Sequence, residues 1–210
     1  MIDWRKSIPS THQYVSDLLR SNSIVPPYAL GCDEQPNGIG SRGNGWIGKR
    51  GNLFFSFCVE EKHLPEDLPL ASISIYFSAL LKHVLEAKGS KVWLKWPNDF
   101  YLDEQKIGGI ITTKINTSII GSIGLNLLHS PEEFGVLDIK IKPKELALLF
   151  LKVLEEKRVW KKVFSKYQLE FDKNGPYAFH LDGKVVSLRD AILNNDGSIT
   201  IENKKVYSLR

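Results

Sequence analysis

Cysteine is scarce in this sequence: 210 residues carry two, Cys32 and Cys58. Their spacing suits neither a zinc knuckle nor a disulfide framework. That excludes a stapled secreted scaffold and points to a reducing, cytoplasmic compartment. Charge of one sign is lacking too. Lys and Arg number 28 against 24 Asp and Glu, a net charge of +4. This is too mild to argue for nucleic acid, and it leaves room for an acidic protein partner. No apolar run reads as a membrane span, and Met1-Ile2-Asp3-Trp4-Arg5 lacks the form of a signal peptide, so no membrane partner is expected. There is no internal repeat or low-complexity tract. His63 and His83 have no companions at metal-ligand spacing, and no protein metal site is expected. What remains is an ordinary globular composition, long enough for one sizeable domain plus a small module.

The most informative stretch is 92–111. Residues 92–96 place apolar side chains on both faces around Lys95, as a mostly buried strand does. Pro97 has no N–H for a ladder and Asn98-Asp99 favour a turn, so the strand stops there. Residues 100–102 resume strand character, 103–105 form a polar turn, and 106–111 return. Lys106 then opens a buried strand followed at once by Gly108-Gly109. A lysine there is a point charge suited to an anion, and paired glycines let a ligand approach the backbone. A lone Lys-x-Gly-Gly reads better as a hairpin with a snorkelling lysine and a bulge. Eleven residues after Lys95-Trp96-Pro97-Asn98-Asp99, it reads as a site.

Around this hairpin the chain alternates strands and helices. Ser10 or Thr11 caps a helix running to Arg20. Residues 28–32 form a short strand. The glycine-rich 33–46 cannot bury itself and is expected to be mobile until something orders it. Residues 52–59 form an apolar strand, and 70–85 an amphipathic helix closed by Gly89. Residues 118–127 are a buried strand with small residues interleaved. A loop follows over 129–143, then one helix over 144–173. Asn174-Gly175-Pro176 breaks that pattern, and short strands over 177–181, 184–188, 198–202 and 204–209 turn at Asp182-Gly183 and Asp196-Gly197. The fold class is α+β, a mixed central sheet flanked by helices. The division is 1–173 for the main domain and 174–210 for a β module too small to fold well alone, which should pack on it.

Lys95-Trp96-Pro97-Asn98-Asp99 followed by Lys106-Ile107-Gly108-Gly109-Ile110 resembles the signature of biotin–protein ligases. The resemblance covers nearly the whole chain. It implies the class II tRNA synthetase-like catalytic domain of biotin and lipoyl ligases, with a small SH3-like β module at the C-terminus. Gln35 and Trp46 have the family's spacing of eleven, and Gly38, Gly40 and Gly43 fall on its glycines. The family's loop arginines are replaced by Ile39, Ser41 and Asn44, leaving Arg42 one place off. Ser10-Thr11 matches a Ser-Thr-Asn in which His12 replaces the Asn. Residues 118–127 are similar to the family's Gly-Ile-Gly-Ile-Asn strand, with Ser122 in place of its first glycine. Ser208-Leu209-Arg210 is similar to a C-terminal Ser-Leu-Arg. The helix-turn-helix module of regulatory members has no counterpart, so an enzyme-only form without DNA is expected.

The resemblance implies two steps: biotin and ATP give biotinyl-AMP, and a lysine of a carrier domain then takes the biotin. Lys106 and Arg42 are the implied catalytic cations. Ser10, Thr11, Gln35, Gly38, Ser41, Lys106, Gly109 and Ser122 are the implied biotin contacts, with Trp46, Gly109 and Trp96 shaping the apolar pockets. Gly40, Arg42, Trp46, Lys95, Asn98, Asp99, Asn126 and Arg210 are the implied ATP contacts. Mg²⁺ is expected with the polyphosphate. The implied partner is the biotin carboxyl carrier protein of acetyl-CoA carboxylase or a related carboxylase. Edge strands could pair two copies, so monomer and homodimer both stay open. Two other readings are a lipoate or octanoate ligase or transferase of the same superfamily, and a degenerate protein that binds biotin or nucleotide without turnover.

Overall fold

The computed structural model describes residues 1–40, 45–181 and 184–208. Its frame is an eight-stranded sheet built from β1 (Asp3–Ser7), β2 (Tyr28–Ile39), β3 (Gly45–Gly48), β4 (Leu53–Glu60), β5 (Trp93–Lys95), β6 (Asp99–Leu102), β7 (Gln105–Ile115) and β8 (Ser118–Leu125). The order is β1-β2-β4-β8-β7-β6-β5, with β3 hairpinned onto β2. β1 runs parallel to β2 and the other pairings are antiparallel, so the sheet is mixed.

Period-two alternation gives the sheet two apolar faces. On β4, Leu53, Phe55 and Phe57 enter the larger core. Phe54 and Cys58 point the other way, joining Leu30, Cys32 and Ile120 under Val15 and Leu19. Those last two belong to α1 (Thr11–Arg20), whose first turn is capped when Ser10 Oγ accepts the Gln13 N–H at 3.3 Å. The larger core is covered by α2 (Ile73–Ala87), α3 (Pro143–Glu155) and α4 (Trp160–Phe171). By length and composition residues 70–87 could cross a membrane, contrary to the reading that no run approaches a span. In the fold most of this segment is buried against the sheet, α3 and α4.

One strand was not foreseen, and two readings are corrected. β1 lies in a stretch too short and too charged to announce itself as a strand. β2 continues to Ile39 because β3 supplies a ladder for the glycine-rich segment, with Gly38 opposite Trp46 and Ile39 opposite Gly45; residues 41–44 lie outside the described residues. The helix expected over 144–173 is two. Lys157 turns into the left-handed region (φ 48), and the Asp67 carboxylate accepts the Trp160 and Lys161 N–H groups at 2.9 and 3.0 Å, starting α4 afresh.

After Asn174 come β9 (Ala178–Leu181) paired with β10 (Lys184–Ser187), and β11 (Ile192–Leu193), β12 (Ile199–Ile201) and β13 (Lys204–Val206) in a three-stranded sheet. These strands pack on the main core through Phe179, Leu188, Ile199, Ile201 and Val206. Trp96 is the pin. Its indole N–H donates to Gly197 O (3.0 Å), its backbone N–H to Asn174 Oδ1 (2.7 Å), and its ring meets Phe179 edge-on at 5.3 Å.

Candidate functional site

Opposite residues in a ladder share a face, so the registers read out the floor of a cleft on the α1 side of the sheet. One row runs Asp99, Gly109, Gly124, Phe54. The next runs Ile111, Ser122, Ser56, Leu30. Two glycines in the first row remove side chains from the floor. A Cβ on Gly109 would lie 3.0 Å from Asp99 Oδ1, and one on Gly124 would lie 2.9 Å from Trp46 Nε1. Trp46, on β3, therefore lies flat over Gly124 as a roof, met edge-on by Phe134 at 6.1 Å. Its indole N–H is buried and has no partner among the described residues, an unspent donor inside the cleft. The open space, counted out into the solvent at the mouth, is ≈ 490 Å³.

A bulge aims the lysine. Between β6 and β7 the register slips at Phe100 and Tyr101, so that Tyr101 faces Lys106 while Phe100 faces Gly108. Ile107 and Ile110 both enter the core, and Lys106 shares the cleft face with Gly109 despite the odd spacing. Its ammonium donates to Asp99 Oδ1 at 2.6 Å, with both side chains about three-quarters covered. Asn98 holds the turn in place, its side-chain amide and its backbone carbonyl both bonded to Ile110. The Trp96–Pro97 peptide bond in this turn is cis.

The other end of the cleft is polar and neutral. The N–H and hydroxyl of Thr11 both reach Gln35 Oε1 (2.8 and 2.9 Å). Ser56 Oγ lies 2.9 Å from Thr11 Oγ1 and 2.7 Å from Ser122 Oγ. His12 Nδ1 lies 2.8 Å from Ser122 Oγ, and its Nε2 lies 3.2 Å from Thr113 Oγ1. Burial, with Arg20 adding, holds the His12 ring below its ordinary pKa, so it is neutral at neutral pH.

The structure gathers Thr11, Gln35, Gly40, Trp46, Asn98, Asp99, Lys106, Gly109 and Ser122 around this one cleft. Ser10 lies beside it as the helix cap, and Gly38 is a packing position whose Cβ would strike Trp46 O at 2.2 Å. Lys95 is turned away, its ammonium over the rings of Tyr101 and Tyr177 at 5.6 and 5.7 Å. Asn126 is engaged with Gly135 O and Asn52, bracing the connection after β8. Trp96 faces the C-terminal strands instead of the cleft. Ser41, Arg42 and Arg210 lie outside the described residues. The sequence reading missed the parts of Ser56, His12 and Thr113, whose partners are distant in the chain. Cys32 and Cys58 are buried behind α1, and burial pushes both thiols up to about 11, so neither is a nucleophile.

Residues 4–128 match the profile described as the Biotin/lipoate A/B protein ligase family. The chain belongs to that family. Within the family it resembles biotin–protein ligase 2 of Arabidopsis thaliana, 34% identical over 133 residues, or 59% of this chain and 39% of the relative. It also resembles the bifunctional ligase/repressor BirA of Escherichia coli K12, 33% identical over 138 residues, or 62% of this chain and 42% of the relative. These matches span about two fifths of the curated relatives. A solved structure covers more: the biotin acetyl coenzyme A carboxylase synthetase of Helicobacter pylori, determined with bound biotinylated ATP, superposes with a TM-score of 0.93 at 39% identity over 98% of each chain. The biotin protein ligase of Aquifex aeolicus shares the fold at a TM-score of 0.80 and 23% identity, over 100% of this chain and 95% of that one. The mixed sheet flanked by helices is thus the family's architecture.

Proposed function

We propose that the protein is an ATP-dependent biotin–protein ligase. The observation that carries this reading is one cleft with two unlike ends: the Asp99-held Lys106 cation at one, and the neutral polar group of Thr11, Gln35 and Ser122 at the other. The Lys106 ammonium is held at Asp99, one row from Ser122 and two strands across the floor from it, so the two ends lie on the order of 10 Å apart. That suits a long ligand with a polar ring and a distant acid, beside the apolar side chains of Trp46, Ile39 and Ile111. The relative solved with biotinylated ATP supports it.

In the reaction so read, a carboxylate oxygen of biotin attacks the α-phosphorus of ATP and pyrophosphate leaves. The amine of a carrier lysine then attacks the acyl carbon, AMP leaves, and an amide forms. Charge builds at the carboxyl–phosphate junction, where a pre-positioned ammonium stabilises it better than a solvated one. Asp99 aims that ammonium, and the Trp46 N–H supplies a further donor. No enzyme nucleophile takes part. Among the described residues no group of three or more His, Cys, Asp or Glu could hold a metal; Asp99, which lines the cleft, is the carboxylate that would meet a Mg²⁺ carried by the ATP phosphates. Ile39 lines the cleft where the resemblance expects an arginine; Arg42 is our candidate for the missing loop cation. We further read the carrier domain of a biotin-dependent carboxylase as the partner, the strands after Asn174 as an SH3-like module, and the compartment as cytoplasmic, in keeping with two free buried thiols.

The test is ATP–pyrophosphate exchange with biotin, lipoate and octanoate. We expect exchange with biotin alone, lowered about 10²–10³-fold in Lys106→Ala and lowered also in Arg42→Ala. Exchange with lipoate or octanoate instead would assign the sister activity. Tight biotin binding with no exchange would make this a binding protein.

A further inference from the structure

The polar end of the cleft is a single chain of hydrogen bonds, and its direction can be derived. A backbone N–H can only donate, so the Gln35 atom that meets Thr11 N is the carbonyl oxygen. That oxygen can only accept, so the Thr11 hydroxyl spends its one proton on it. Ser56, 2.9 Å from Thr11 Oγ1, must therefore give its own proton to Thr11. The 2.7 Å contact of Ser56 with Ser122 then needs the Ser122 proton. The 2.8 Å contact of Ser122 with His12 has one proton left to use, on Nδ1. A neutral ring with Nδ1–H leaves Nε2 as an acceptor for the Thr113 hydroxyl. The other neutral tautomer would set lone pair against lone pair somewhere along the chain.

We infer that His12 is a positioning residue for ligand selection, held as the Nδ1–H tautomer so that it pins Ser122 and saturates the hydroxyl chain. Each hydroxyl of Thr11, Ser56 and Ser122 then has its proton committed and one lone pair left. Toward a ligand, Thr11 and Ser122 offer acceptors alone, and the Gln35 amide nitrogen is the donor of the group. A ring carrying N–H groups beside a carbonyl matches this array, as the cyclic urea of biotin does. An octanoyl or lipoyl chain brings no donor and would leave buried lone pairs unmatched, the kind of mismatch that rejects an analogue strongly. This rests on the ligase reading and assigns the discrimination between sister substrates to a chain whose last member is His12.

Two measurements test it. The first is ¹⁵N NMR of the histidine rings in the wild-type protein without ligand, where we expect His12 with Nδ1 protonated and Nε2 bare at neutral pH. The second is calorimetry with biotin and with octanoate in the absence of ATP. His12→Ala should weaken biotin binding by on the order of tenfold and leave octanoate unaffected. His12→Asn should recover most of the loss, because the Asn amide nitrogen branches from Cγ as Nδ1 does; His12→Gln should not. An Nε2–H tautomer, or wild-type biotin affinity in His12→Ala, overturns the inference while leaving the ligase reading intact. Wild-type protein that has the Nδ1–H tautomer but binds octanoate in place of biotin overturns the ligase reading and the selectivity drawn from it. If His12→Ala does not fold, the tautomer and the Asn–Gln contrast decide.

Discussion

Two missing side chains shape the cleft as much as any that are present. Gly124 lets the Trp46 indole lie on the sheet, and Gly109 leaves room beside Asp99. A methyl at 124 would meet the indole at 2.9 Å, and the ring rather than the ladder would give way. Gly124→Ala should therefore raise KM for biotin several-fold while changing Tm little, measured by exchange kinetics and thermal melting side by side. At this scale much of the candidate cleft's lining was legible in the sequence. Lys106, Asn98-Asp99, Gly109, Gln35 and Trp46 lie on two short segments whose residue types declare a ligand. His12 and Ser56 were not legible. His12 owes its part to Ser122, 110 residues away, and Ser56 lies on an apolar strand where it passes for a packing detail.

Secondary-structure elements were legible wherever their own residues decide them, and less so where a distant group does. The 92–111 hairpin, the β8 strand and the α2 helix follow from periodicity and turn chemistry. The bulge between β6 and β7 does not, although it is what turns Lys106 to the cleft face. The break between α3 and α4 is similar: the apolar pattern runs on through it, and the decisive carboxylate is Asp67, 93 residues before Trp160. Asp67→Ala removes that cap, which should cost about 1 kcal/mol and lower Tm by roughly 2–4 °C. Exchange activity with biotin should be unchanged, since α4 lies on the opposite face from the cleft. Equal melting of mutant and wild type would show that the helix start is held by packing alone.

For the whole molecule, acid stability follows from groups titrated differently in the fold and in the open chain. Burial, and then Arg20, hold His12 below its ordinary 6.5; burial, and then Arg158 and Lys166, do so for His83. Both bind their protons less tightly in the fold than in the unfolded chain, so stability should begin to fall as pH drops through 6.5. Asp3 is held below 3.8 by its bond to Arg5. For Asp67 and Asp196 burial pushes upward, but the N–H groups capping α4 and the pairing with Lys205 and Ser198 outweigh it. Their stabilisation is complete above 3.8 and lost as pH drops through their lower folded values. Melting temperature against pH should thus descend in two stages, with His12→Asn flattening the first. The layered sheet and the packing of the last strands on the main core were both legible; the strand order was not, since no local signal says that β8 inserts between β4 and β7. Trp96 has one more consequence, for synthesis. Its indole waits for Gly197, 101 residues later, which at ribosomal speed is roughly 5–20 s. For the first part of that interval α2 lacks α3 and α4, and for all of it the three-stranded sheet of β11, β12 and β13 is incomplete. Until its last 40 or so residues emerge, the nascent chain therefore leaves part of its core without a cover, and folding to the final state can finish only near the end of synthesis.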